Sequence, residues 1–384
     1  MVKPEKNNSM PIWLYSLIPG LGHLRLGFKR TGVHLIILTL SMAAILIWRW
    51  ELFLELLFSN DIERWIGSAF IITMLLGCYA FSVWDVVRLT NRNQAELIVK
   101  SPFKLAMRRF ITNKLALFAL YVIIFFFLMA FLSPIIAPHS PVSIDDVINT
   151  RYIEPSLSHP FGTDEMGRDL FSRALYGARV SLSVGLLAVI IAITIGTIYG
   201  AISAFFGGLI DNILMRVIDV IMAFPIFFLM LMLVAIFEVN ILVMVLILGF
   251  TSWMGTARYI RGEILSLKER EFIEAARAIG LSNRLIILRH LIPNALSPVL
   301  VSSALMVGSM IGAEAGLSFL GIGIRPPTPT WGNMIDSGAD TLLFAWWIAF
   351  FPGTLLAITI LCFNLIADGL RDALDPKTLM RKYI

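Results

Sequence analysis

Glu274, Ala275 and Ala276, followed by Gly280 and Pro293, are the residues whose types and spacing best suit a chemical task, and that task is docking rather than bond breaking. The Glu274 carboxylate offers a charge to a partner arginine. The small pair Ala275 and Ala276 lets another surface approach closely, and Gly280 turns the chain through a left-handed conformation without a side-chain penalty. A second set lies within or beside apolar runs: Glu314 and Ser309 in one, Pro225 in another. An acid in a membrane span is a pathway or gate candidate because placing it there is costly. Pro225 is a kink point, since proline removes a backbone donor. A third set, Asp164, Arg168, Asp169 and Trp331, occupies the stretches between spans. No set combines a nucleophile with a base, and neither a Walker loop nor a zinc motif is present, so there is no catalytic residue to name. His23, His34, His139, His159 and His290 show no ligand spacing, and Cys78 and Cys362 lie far apart in apolar runs. Neither a metal site nor a structural disulfide is expected from them.

The element that must position the first set is residues 258–294, the one long charged segment in an apolar second half. Tyr259, Ile260, Ile264, Leu267, Phe272, Ile273, Ala276 and Ile279 recur at helical spacing with Arg, Lys and Glu between them. Gly280 supplies a stop, Ser282 a cap for a second helix through Ile286, Ile287 and His290, and Pro293 a limit to it. The segment reads as helix, glycine turn, helix, held between two spans.

The chain around it is built for a bilayer. Of 384 residues 58% are hydrophobic and 15% charged, and several apolar runs approach or exceed the ~20 residues that cross a ~30 Å hydrocarbon core. The net charge of +5 fits inward-facing loops better than nucleic acid. No removable signal peptide precedes the first span. Residues 1–32 read as a half-buried or re-entrant segment, followed by spans at Val33–Trp48 and Ile66–Trp84 that form a hairpin. Seven Lys and Arg residues crowd 88–114, which places that loop in the cytoplasm. Core spans follow at Leu115–Ile136, Val180–Phe205, Val217–Phe237, Ile241–Ala257, Ala295–Ala315 and Ala345–Ala367. The loops 138–178 and 317–343 then lie outside, with 258–294 inside. In the first loop Asp164 or Thr163 caps a short surface helix with Leu170, Phe171, Ala174 and Leu175 on its apolar face. In the second, Pro326, Pro327, Pro329 and Trp331 form a rigid ledge, too proline-rich for helix. Gly196 and Gly200 make a GxxxG pair, a pattern common in apolar runs by chance.

Glu274-Ala275-Ala276, with Gly280 six residues after the Glu and Pro293 thirteen further on, resembles the "EAA" loop of ABC importer permeases. His290 and Ile292 depart from the general pattern in the manner of the peptide/nickel branch. Gly162-Thr163-Asp164, Gly167-Arg168-Asp169 and Gly177-Ala178-Arg179 also resemble that branch's signature, and the likeness runs on to the C-terminus. It implies an all-α polytopic membrane protein: a six-helix permease core over 96–384, with 1–95 as an accessory module carrying the extra hairpin. It further implies a subunit of the second, C-type permease in a peptide importer of the prokaryotic cytoplasmic membrane. The implied partners are a second permease, two ATPase subunits that bind ATP and Mg, an extracytoplasmic peptide-binding protein and lipid, with no nucleic acid. This chain itself then binds no cofactor and is no enzyme. Two other readings stay open: a permease for nickel or another small solute, and a membrane anchor or sensor without transport.

Overall fold

The computed structural model divides the chain into two compact units, Met1–Lys100 with Pro134–Pro138, and Ser101–Ser133 with His139–Ile384. It describes residues 19–25, 102–144 and 147–374, and scattered positions between 32 and 80. Most of the expected re-entrant segment, of the N-terminal hairpin and of the basic loop, together with Cys78 and the tail after 374, lie outside the described residues. In the first unit a short helix spans Leu21–Arg25.

The second unit is helical, and its described residues hold no strand beyond one isolated bridge between Thr163 and Asp169. Its principal helices are α1 (Pro102–Thr112), α2 (Lys114–Phe131), α3 (Leu170–Phe206), α4 (Gly208–Met222), α5 (Ile226–Ile236), α6 (Ile241–Lys268), α7 (Glu271–Ala278), α8 (Asn283–Ile286), α9 (Ile292–Phe319), α10 (Trp331–Ala339) and α11 (Trp347–Leu374). Among the described residues five pieces are long and apolar enough to cross a membrane: α2, α3, α6, Pro298–Phe319 within α9, and α11. Helices α4 and α5 together are also apolar enough to reach into a membrane, and the chain bends by 77° between them. The break falls where expected, since Pro225 is the N-cap of α5 with ψ 122° and its ring bars the residue before it from helical geometry.

Besides α4, which starts at Gly208 rather than Val217, three boundaries differ from the sequence reading. The surface helix after Asp169 is not separate: α3 runs unbroken for 37 residues, because nothing between Leu175 and Val180 breaks it, and a Cβ on Gly177 would stand 3.4 Å from Thr330 and Trp331. The first helix of the charged segment belongs to α6, and the chain bends at Glu269 and Arg270 before α7. That bend lets Ile260 and Ile264 of α6 and Ile273 of α7 enter one buried cluster. Pro293 does not end its helix either. A π-helical turn over Ile287–Leu291 leads straight into α9, Ile292 N–H bonding to Ile287 O, and Pro293 falls in the first turn of α9, where no donor is needed.

Helices α3 and α6 run parallel and form the centre of the bundle. Gly196 and Gly200 make the contact: a Cβ on Gly196 would stand 2.6 Å from Thr256 Cβ and 2.7 Å from Trp253 O, and one on Gly200 would meet Ala257 O. Small residues here let two backbones touch, so this GxxxG pair is structural. Outward, Leu115 and Phe118 are each 65% exposed and Phe228 is 66% exposed. An apolar exterior of this kind suits lipid or another apolar chain.

Candidate functional site

The charged hairpin has two distinct rows. Ile273, Ile286, Leu291 and Ala295 are fully buried with Ala204 of α3, and Ala276 joins them at 4% exposure. These residues fix the hairpin to the end of α3. Glu274 and Ala275 point the other way and are exposed, as are Phe272 and Ile279, the latter 76% exposed. Ala276 therefore serves packing, while Glu274 and Ala275 are available to a partner. Gly280 has φ +77° and completes a two-bond C-terminal cap: its own N–H bonds to Arg277 O at 2.9 Å and Leu281 N–H to Ala276 O at 3.2 Å. Ser282 stands at the N-cap of α8, but its hydroxyl makes no capping bond. Pro293 is exposed at the start of α9.

Charge pairs brace the hairpin's root. Lys268 Nζ donates to Ala204 O at 3.0 Å and Phe205 O at 2.8 Å, placing a cation on the last carbonyls of α3, where the helix dipole favours it. Arg261 binds Asp211 bidentately, with Nε and Nη2 each 2.6 Å from a carboxylate oxygen. Ser203 Oγ also donates to Asp211. One acid thus ties α4 to α3 and α6.

At the opposite end of α3, the third set of sequence candidates forms a buried turn. Asp164 Oδ1 accepts from the N–H groups of Met166 and Arg168, both at 2.9 Å. Its Oδ2 takes Arg168 Nε at 2.7 Å and lies 3.5 Å from Arg173 Nε. All three side chains are 5% exposed or less. The cap of α3 is Asp169, not Asp164 or Thr163: Asp169 Oδ2 accepts from Ser172 N at 2.8 Å and Ser172 Oγ at 2.7 Å. Asp164 is committed to the arginines, and Thr163 Oγ1 donates to Thr150 O and accepts from Ile153 N–H. Asp169 also accepts from His159 Nδ1 at 2.9 Å, and the His159 ring stacks on His139 with centroids 4.7 Å apart. Sequence spacing missed this convergence.

Glu314, Ser309 and Pro225 are not one constellation. Glu314 is fully buried on the inner face of α9, accepting from Ser181 Oγ at 2.9 Å and Ser318 Oγ at 2.8 Å. Ser181 Oγ in turn accepts from Trp331 N–H at 3.3 Å, and Trp331 Nε1 donates to Ala174 O at 3.1 Å. Trp331 is 1% exposed, so it anchors α10 between α3 and α9 rather than forming a surface ledge. Thr330 and Asn333 close a capping box at the start of α10. Ser309 and Pro225 are exposed elsewhere on the unit. Beside α10 a recess of about 260 Å³ is lined by Glu165, Arg325, Asp336 and Asp340 among others. Burial, with Asp340 alongside, pushes the Asp336 carboxyl above the usual range.

Two family descriptions match this chain. Residues 192–380 match the binding-protein-dependent transport system inner membrane component, and residues 101–155 the N-terminal transmembrane domain of oligopeptide transport permease C. The dipeptide transport system permease protein DppC of Bacillus subtilis is 38% identical over 298 residues, 77% of this chain and 92% of that protein. The oligopeptide transport system permease protein OppC of Haemophilus influenzae is 41% identical over 286 residues, 74% of this chain and 91% of that protein. The glutathione transport system permease protein GsiD of Shigella dysenteriae is 40% identical over 279 residues, 73% and 92% of the two chains. With likeness of that depth, and with five membrane-length apolar helices among the described residues, the chain belongs to the inner-membrane permease family of binding-protein-dependent transport systems, in its dipeptide and oligopeptide branch.

Proposed function

We propose that this chain is one membrane subunit of an ATP-driven importer of peptides, and that an ATPase subunit docks on the hairpin 258–294. The observation that carries the reading is the division of that hairpin. Its inner row is packed onto α3, while Phe272, Glu274, Ala275 and Ile279 form an unshielded row beside a charge. Membrane-borne relatives named for dipeptide, oligopeptide and glutathione transport support peptides as the cargo class. The chain holds no nucleotide-binding loop, so ATP and Mg belong to the partners. A second permease subunit and an extracytoplasmic peptide-binding protein complete the assembly. Closure of the ATPases moves the hairpin, and the helices rock around a shared pathway. Ala275→Cys in the assembled transporter is expected to cross-link to an ATPase subunit with a short bifunctional thiol reagent. Failure to cross-link in a complex that still takes up peptide overturns the docking assignment.

Orientation follows from the same reading: 88–114 and 258–294 face the cytoplasm, 138–178 and 317–343 the exterior. Ser158 and Ser266 are both exposed and serve as single-cysteine reporters in a background without Cys78 and Cys362. An impermeant thiol reagent on intact cells should label position 158 and spare 266. Labelling at 266 reverses the topology.

The matched family regions start at residue 101, and residues 1–95 act in this reading as an accessory module apart from the pathway. Removing them while keeping the basic loop from Lys100 should leave peptide uptake at a substantial fraction of the full-length rate. Loss of uptake at normal membrane level and normal assembly contradicts the accessory assignment.

A further inference from the structure

We propose that His139, His159 and Asp169 form a binding site for a divalent transition ion, Zn²⁺ foremost. The three lie twenty and ten residues apart in sequence, yet one ligand atom from each falls within 4.8 Å of the others. Asp169 Oδ1 is 2.9 Å from His159 Nδ1, and Oδ2 is 3.8 Å from His139 Nδ1. Bonds of ~2 Å to a tetrahedral ion put ligand atoms about 3.3 Å apart, so closing the set from separations of up to 4.8 Å takes at most about 1.5 Å of side-chain movement. The His139 side chain, 40% exposed, is free to make it, whereas the Asp169 carboxylate, 1% exposed, is the fixed point.

The surroundings are those of a prepared ligand set. Ser172 holds Asp169 Oδ2 with both its N–H and its hydroxyl, and the same hydroxyl accepts from the His139 backbone N–H at 3.2 Å. Hydrogen bonds behind a ligand that fix its orientation are the usual support of a metal site. The ionised carboxylate only accepts, so His159 carries its proton on Nδ1 without metal. On binding, the imidazole moves to its Nε2–H tautomer and the Nδ1 lone pair goes to the ion, with no net proton released. Two imidazoles and one carboxylate suit Zn²⁺, Co²⁺, Ni²⁺ or Cu²⁺ and are too soft and too few for Ca²⁺ or Mg²⁺. The exposed His139 side chain leaves water able to serve as a fourth ligand. A bound ion joins the segment after α2, the turn before Gly162 and the N-cap of α3 through one centre.

The test uses the full chain in detergent, purified through a streptavidin-binding peptide because a polyhistidine tag would itself take metal. Co²⁺ titration should give visible ligand-field bands that saturate at one equivalent and are displaced by Zn²⁺. His139→Ala with His159→Gln should abolish the bands. Ser172→Ala should weaken Co²⁺ binding about 10–100-fold and Asp169→Asn, which keeps a good N-cap but removes a ligand charge, by more than that, with helix content by circular dichroism unchanged. No one-equivalent binding by the parent chain overturns the site. So does binding that survives in the double histidine variant, since the ion then sits on other residues such as Cys362 or His290.

Discussion

Gly280→Val is expected to leave the protein inserted in the membrane at near-normal level while uptake of peptide falls at least about 5–30-fold, the population change that 1–2 kcal/mol produces. The effect comes from backbone geometry alone. A Cβ on Gly280 would meet nothing within 4 Å, so no packing is lost. At φ +77°, however, an L-residue incurs about 1–2 kcal/mol, and a β-branched side chain is the worst case. The chain relieves that strain by opening the cap formed by Gly280 N–H and Leu281 N–H, and so re-aims α7 relative to α8. Gly280→Asn is the control, because asparagine tolerates the left-handed region. It should retain most of the uptake. Glu274→Lys should act in the same direction as valine by reversing the charge offered to the proposed ATPase partner; breaking a desolvated charge pair costs about 2–5 kcal/mol. Full uptake by both Gly280→Val and Glu274→Lys would remove the hairpin from the coupling route.

The second large effect concerns stability. Asp164→Ala leaves Arg168 and Arg173, both 5% exposed or less, without their carboxylate, and it strips two backbone N–H groups of their acceptor. Removing one member of a buried charge network costs about 3–5 kcal/mol. Membrane level and thermal midpoint in detergent should both drop sharply. Asp164→Asn keeps an oxygen for the Met166 and Arg168 N–H groups and should fall between parent and alanine. An Asp164→Ala protein with parental level and midpoint would mean that the arginines find other acceptors in the folded chain.

The apolar spans were legible because a bilayer imposes length and composition directly on sequence. The turn at Gly280 was legible for a local reason: a helical pattern that stops at glycine. The Pro225 break was read at the right residue, although a bend of 77° exceeds what one proline signals. What sequence did not disclose depends on non-local partners. The sequence pattern points to Asp164 or Thr163 as the cap, and the role falls instead to Asp169 because arginines and loop backbone occupy the other two. Gly196 and Gly200 look like any GxxxG pair until α6 is seen against them. Ala276 and Ala275 are indistinguishable as letters, yet the bend at Arg270 turns one inward and leaves the other outside. Glu314 reads as an intramembrane acid, and only Ser181, 133 residues away, places it among hydroxyl groups on the buried face of α9.

The unbroken course of α3 carries a mechanical consequence. It contains no proline over 37 residues, a length of about 55 Å at ~1.5 Å per residue. One end is gripped by the Asp169 turn and the other by Lys268 and the hairpin cluster. A stiff rod held in this way turns a small angular input into a large linear output: a tilt of about 10° about either end sweeps the other through ~10 Å. Hairpin and turn thus sit at the two ends of one continuous helix, and a rigid tilt of α3 would displace the two together.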